Sequence, residues 1–413
     1  MRTLRLMFTT VAIGLLISAF QPVYAQAKGP DPLGLRPDAP KYALHGPFWV
    51  GVRSFVVAPN TDRPLKGLIW YPALNPQGLP EKTQYDNSDL QWFKPVAGIS
   101  MLSPGHALKD ATFDMSKAPY PLIIHSHAGW SNPENEVGLS EHLASYGFVV
   151  MTPYHTGESD PDFNNWLWYD NINRPIDVQK TIAFAENLTK SGDYKGLIDV
   201  STIGGTGWSS GGYTALMMAP GASLDLTAFE KWCAANKDTP DAQGECPGIL
   251  AHEKDMLKLA GLSTMPKGPW PSWGDPRVKG VVAFSGGDPI MNMSAVTTPL
   301  MVMTGSLETV ALTNDLPYNG SASTQKARVV FANADHMIFA PKCDEIPWLI
   351  LSHPEYYMVC AQAVWDMDRA HDLINHLTTA FLLDTLKGDK DAHKALLPDA
   401  VAFPGIEYQT TLK

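Results

Sequence analysis

Positive charge is scarce in this chain. Its 413 residues carry 31 Lys and Arg against 42 Asp and Glu, a net charge of −11 with neutral His. Phosphate-rich partners require clustered basic side chains, so no nucleic-acid partner is expected, and no electrostatic docking on an anionic membrane. Long apolar runs are also missing, with one exception at residues 6–20. That run follows Arg2 and Arg5 and precedes Val23-Tyr24-Ala25, the layout of a secretory signal peptide with a small-residue cleavage site. It is shorter than the ~20 apolar residues a membrane-spanning helix needs. Residues 1–25 therefore read as a cleaved leader, with no stable membrane anchor, and the mature chain is expected to be secreted or periplasmic.

Cysteine is rare: Cys233, Cys246, Cys343 and Cys360 are all there are. No C-x-x-C and no nearby histidine pair them into a zinc site. In an exported chain they imply disulfides. Three connectivities are possible; the sequential pairs Cys233–Cys246 and Cys343–Cys360 close the short loops and are favoured. No internal repeat is evident.

At 45% apolar residues the chain has enough to build a full core, and its chemical elements are spread along one domain, 46–413. Residues 26–45 form an irregular, Pro- and Gly-rich leader. Strands are expected at 50–57 and 65–71, joined as a hairpin at Arg63-Pro64. Residues 73–118 show little periodicity and read as a surface excursion. Further strands are expected at 120–125, 148–152, 200–206, 278–284, 300–304 and 328–332, with helices at 132–146, 176–188 and 361–386. This alternation gives an α/β fold, a mostly parallel central sheet covered by helices on both faces. The polar, Pro-rich stretch 220–275 is too long for a plain loop and reads as a cap or lid insertion.

The most informative string is Gly207-Trp208-Ser209-Ser210-Gly211, followed by Gly212. It is a G-x-S-x-G pattern, the nucleophile elbow of α/β-hydrolases. Alone it is weak, since roughly one chain in eight of this length would carry it by chance. Its setting adds weight: an apolar stretch precedes it and a helical one follows, the strand, turn and helix the motif requires. Serine needs a base, a group to orient that base, and donors for the developing oxyanion. The expected chain order is Ser, acid, His. His336 follows the last expected strand and is the candidate base. His353 lies between the second cysteine pair, and His371 and His376 lie within the expected long helix, so they are set aside. Glu308, after the strand 300–304, is the candidate acid, with Asp288 as the alternative. The backbone N–H of Ser210 is one candidate oxyanion donor. The second comes from the loop after 120–125, as Gly129 or alternatively Ala128. Trp130 and Trp208 flank the site as candidate substrate walls, and the run Trp166-Leu167-Trp168-Tyr169 adds aromatic surface nearby. His125-Ser126-His127 has the spacing of a metal pair, but no adjacent acidic residue completes a set, so neither metal nor cofactor is expected.

Several segments together resemble the predicted dienelactone hydrolase and platelet-activating-factor acetylhydrolase-like branch of the α/β-hydrolases. They are Gly67-Leu68-Ile69-Trp70-Tyr71-Pro72, His127-Ala128-Gly129, Arg174-Pro175-Ile176-Asp177-Val178, the elbow, Asp275-Pro276-Arg277-Val278-Lys279 and Leu386-Lys387-Gly388-Asp389. The likeness spans about residues 45–400. More distantly, the chain is similar to secreted cutinase-like polyester hydrolases. The resemblance implies cofactor-free ester hydrolysis of a small-molecule or polymeric ester, with nucleophile, acid and base at Ser209, Glu308 and His336. It gives Arg174 and Asp177 structural roles. The chain departs from the family in having Ser where dienelactone hydrolase proper has Cys, Glu308 where Asp is usual, and His127-Ala128 where His-Gly is usual.

Overall fold

The computed structural model describes residues 29–90, 96–157, 166–309 and 313–413. The expected signal peptide, 1–25, and residues 26–28 of the expected leader lie outside the described residues.

Apolar and β-branched runs form the strands. Trp49–Val57 (β1) and Leu65–Ala73 (β2) pair antiparallel. Leu108–Lys109 (β3), Tyr120–Ser126 (β4), Val149–Pro153 (β5), Ile198–Trp208 (β6), Val278–Phe284 (β7), Leu300–Gly305 (β8), Lys326–Phe331 (β9) and Ile406–Thr410 (β10) complete one ten-stranded sheet. The spatial order is β10-β9-β8-β7-β6-β4-β5-β2-β1-β3. From β9 to β5 all neighbours are parallel, while β2 and β10 run antiparallel to theirs. Strands buried on both faces read as near-continuous apolar runs, and every residue of β5 is buried.

Alternating side chains feed two cores. Val281 and Ala283 point into one, and Val282 and Phe284 into the other. Helices α2 (Trp166–Leu188) and α3 (Ser210–Met217) cover the first face; α1 (Val137–Ser145) and the long helix Met367–Lys387 cover the second.

The helices differ from their sequence limits for local reasons. α1 starts at Val137, not 132, because Asn132 Oδ1 accepts the Asn135 N–H at 2.8 Å and holds a turn. The long helix starts at Met367, not 361, because the Asp366 side chain caps the N–H groups of Asp368 and Arg369. α2 begins ten residues before the expected 176 and runs through Pro175. Proline has no N–H for the carbonyl four residues back. That carbonyl, Asn171 O, instead accepts the buried Tyr213 hydroxyl of α3 at 2.9 Å, so α2 and α3 are joined where the helix would otherwise be weakened.

The excursion at 73–118 is more ordered than its sequence suggests. It contains a two-stranded ribbon, Thr83–Asp86 with Leu102–Gly105, and the edge strand β3. Buried Glu141 of α1 anchors it: its oxygens accept the Tyr85 hydroxyl at 2.6 Å and the His106 N–H at 2.8 Å. Burial pushes the Glu141 carboxyl from 4.5 up to about 8. Because the folded value is the higher one, its contribution is fully present below the unfolded value of 4.5 and is lost as pH rises to about 8. Glu141→Gln is therefore expected to flatten the loss of stability between pH 5 and pH 8.5. Urea midpoints of both proteins at the two pH values check this; identical pH slopes would contradict it.

The insertion at 220–275 folds as three helices, α4 (Leu226–Asn236), α5 (Pro240–Ala251) and α6 (Glu253–Leu259). α5 and α6 pack against α2, and His252 stacks on Trp168 at 4.5 Å. Both sequential disulfides are formed: Cys233–Cys246 ties α4 to α5, and Cys343–Cys360 closes the loop after His336. Their separations are 13 and 17 residues, for which chain entropy gives ~3 kcal/mol each. Reduction is expected to lower the thermal midpoint by several degrees; an unchanged midpoint with and without reductant would show that neither bridge contributes. Among the described residues no helix is long and apolar enough to cross a membrane.

Candidate active site

Ser209 sits between β6 and α3 with φ 57° and ψ −122°, a region L-residues with side chains rarely adopt. Two backbone bonds hold it there: its N–H donates to Phe284 O at 2.8 Å, and its carbonyl accepts the Tyr213 N–H at 3.0 Å. The flanking glycines are required by contact. A Cβ on Gly211 would lie 1.9 Å from Ser126 O, and one on Gly207 would lie 2.2 Å from Gly211 O. The elbow is thus pressed against the end of β4, from which the candidate oxyanion loop leaves.

His336 and Glu308 come together through stitched loops. Ser306 N–H donates to Phe331 O at 2.9 Å, Leu307 N–H to Ala334 O at 2.8 Å, and Asn333 N–H to Ser306 Oγ at 2.7 Å. This brings His336 Nδ1 within 3.0 Å of both Glu308 oxygens. Both side chains are mostly buried, at 9% and 7% exposure, so the carboxylate fixes the ring with little competition from water. The His336 ring packs 5.5 Å from that of Trp208, the residue before Ser209. Asp288 is placed otherwise: its carboxylate accepts the Ile290 N–H of its own turn at 2.9 Å, and burial raises it to about 6.

The loop after β4 rests on a buried polar network. Ala128 N–H donates to Glu136 Oε1 at 2.9 Å, so of the two candidate donors Gly129 is the one not committed in that bond. Arg174 of α2 donates to His127 O at 2.7 Å and to Ser126 Oγ at 3.2 Å. Ser126 Oγ also meets His155 Nε2 at 2.9 Å, and His155 Nδ1 meets Asp177 Oδ2 at 3.0 Å. Arg63 grips both Asp177 oxygens, offsetting the burial that raises the Asp177 carboxyl. Ser126, His155 and Asp177 have the connectivity of a hydrolytic triad, yet all three are fully buried, so no substrate reaches Ser126. Burial, with Arg174 nearby, also holds His127 and His155 neutral.

His125 and His127 do not converge on one point. His125 Nδ1 meets Thr206 Oγ1 at 2.9 Å, whereas His127 Nδ1 donates to Ala128 O at 2.8 Å and its Nε2 accepts the His155 N–H. Among the described residues no group of three or more His, Cys, Asp or Glu is placed to hold a metal ion. Trp130 is 53% exposed at φ 64°, while Trp208 is buried against His336. The Trp166 and Leu167 side chains lie outside the described residues. The Arg174 network and Glu136 carry no sequence signal beyond the family-like Arg174-Pro175-Ile176-Asp177 string, to whose polar residues the resemblance gives structural roles.

No protein-family model and no curated protein matches the chain. Solved structures do. A ferulic acid esterase from Streptomyces cinnamoneus superposes with a TM-score of 0.55 at 17% identity, over 88% of this chain and 96% of that one. At this identity the likeness speaks for the fold. With its parallel sheet, covering helices and strand–serine–helix elbow, the chain has the α/β-hydrolase fold.

Proposed function

We propose that the protein is an exported serine carboxylic-ester hydrolase of the dienelactone hydrolase and platelet-activating-factor acetylhydrolase-like branch. The observation that carries this reading is the His336–Glu308 pair, 3.0 Å apart, packed against the tryptophan that precedes the strained Ser209. Ser209 Oγ attacks the ester carbonyl while His336 takes its proton, and Glu308 holds the resulting imidazolium. The N–H groups of Ser210 and Gly129 receive the oxyanion. His336 then protonates the departing alcohol, and a water it activates releases the acid from the acyl-enzyme. The insertion at 220–275 acts as a cap that sets acyl preference. The signal-peptide layout and the two disulfides support export.

The test is hydrolysis of p-nitrophenyl esters from acetate to long-chain acyl, with methyl ferulate added because the similar solved enzyme is named a ferulic acid esterase. A matched anilide runs alongside. Ester turnover well above anilide turnover is expected. Equal rates would make the protein an amidase or peptidase. No turnover of any ester would overturn the esterase reading in favour of a binding protein.

A further inference from the structure

The end of β4 lies against the elbow. Ser126 pairs with Gly207 in the parallel register of β4 and β6, and a Cβ on Gly211 would lie 2.8 Å from His127 O. His127 therefore sits beside the first turn of α3, which begins at Ser210. The Ala128–Gly129 peptide follows at once. It is trans, so the Gly129 N–H and the Ala128 carbonyl point in opposite directions across one rigid plane. Whatever holds that carbonyl aims that N–H.

The holder is His127. Its Nδ1 lies 2.8 Å from Ala128 O, and its Nε2 lies 3.2 Å from the His155 backbone nitrogen. A backbone N–H only donates, so Nε2 is the acceptor and the single proton of the neutral ring is on Nδ1. Burial keeps the ring neutral. The bond to Ala128 O is therefore donated by a ring with both nitrogens committed. The preceding peptide is clamped at both ends: Arg174 donates to His127 O at 2.7 Å, and Ala128 N–H donates to Glu136 Oε1 at 2.9 Å.

The buried triad-like array sets the His127 ring in place. His155 Nδ1–H donates to Asp177 Oδ2 at 3.0 Å, and its Nε2 accepts the Ser126 hydroxyl at 2.9 Å. Arg63, in the turn between β1 and β2, donates to both Asp177 oxygens and to Thr156 O at 3.2 Å. The His127 and His155 ring centroids are 5.0 Å apart. A fixed His155 fixes the backbone N–H that His127 Nε2 receives. The connectivity is that of a triad because the physical demand is the same, a carboxylate that pins an imidazole in one tautomer. Here the pinned residue acts through its main chain.

We propose that His127 is the positioning residue of the oxyanion loop. Its Nδ1–H holds Ala128 O and so aims the Gly129 N–H at the ester oxyanion, while the Ser126–His155–Asp177–Arg63 array keeps its ring in register. This rests on the esterase reading above.

Two uncharged variants separate the two ends of the ring. His127→Asn places an amide N–H where Nδ1 was and gives up the Nε2 acceptor. His127→Gln places its amide at the Nε2 end and gives up the Nδ1 donor. The mature proteins are assayed on p-nitrophenyl butyrate, and the affinity of a trifluoromethyl ketone of matched chain is measured, because its adduct with Ser209 carries the same oxyanion. His127→Gln is expected to lower kcat by about 10²-fold at nearly constant KM and to weaken the ketone by a similar factor. His127→Asn is expected to recover most of both. Equal losses in the two variants, or a Gln variant with the parental kcat, overturn the proposal and leave the esterase reading intact. Should neither variant fold, Arg63→Ala decides, because that side chain is 18% exposed at the far end of the array. Its kcat is expected to fall by about tenfold or more at constant KM and to recover in part with added guanidinium ion; an unchanged kcat overturns the proposal. A parent protein that turns over no ester overturns the esterase reading and this proposal with it.

Discussion

Ser209→Ala is expected to lower ester hydrolysis by about 10⁴-fold or more, because removing a serine nucleophile leaves only the binding and oxyanion contributions. The backbone should not notice. Alanine keeps the Cβ, and the bonds that hold position 209 come from its main chain, to Phe284 O and Tyr213 N. Stability should therefore stay within ~0.5–1 kcal/mol of the parent. Ser209→Gly gives the complementary result. Glycine adopts φ 57° without strain, so this variant should be equally inactive and more stable by ~1 kcal/mol. Initial rates on p-nitrophenyl acetate and urea unfolding of the three proteins check both halves. An alanine variant retaining a tenth of the parent rate would remove Ser209 from the chemistry.

The second large effect belongs to Arg174. Its guanidinium is fully buried and bonds His127 O and Ser126 Oγ, with Asp170 Oδ2 at 3.7 Å. Arg174→Met leaves a buried carbonyl and a buried hydroxyl without that donor. Leaving a buried acceptor without its donor typically costs ~1–3 kcal/mol each, and the urea midpoint should fall accordingly. The same loss frees the loop that carries Gly129. A displaced oxyanion donor is worth ~10²–10³ in kcat, so kcat should fall while KM moves little. Arg174→Lys, which keeps the charge and can still donate to His127 O, should recover part of both. A Met variant that loses stability but keeps kcat would confine Arg174 to folding.

The parts of this molecule that were legible in the sequence are those with local signals. Strand runs at 278–284 and 300–304 are continuous and apolar because both faces are buried. The elbow is legible because Gly207 and Gly211 admit no Cβ. The disulfide pairing follows from two short loops. What was hidden depends on partners far along the chain. Pro175 argues for a helix start at its own position, and only the Tyr213 hydroxyl, 42 residues on, explains why α2 runs through it. The ribbon 83–86 with 102–105 is too short for periodicity and is held by Glu141 of α1, 56 residues beyond Tyr85. Glu308 and Asp288 both follow strand ends, and sequence does not rank them by distance; the bonds from Ser306 and Leu307 to the loop before His336 place Glu308 against the ring.

The proposed chemistry stands or falls with Ser209 as the activated nucleophile. The most direct measurement is to treat the mature protein with a fluorophosphonate at neutral pH and map the adduct by peptide mass spectrometry. A single phosphonyl adduct is expected on the peptide carrying Ser209, lost in His336→Ala as well as in Ser209→Ala. An adduct on a different residue, or none under conditions that label a known serine esterase, would contradict it.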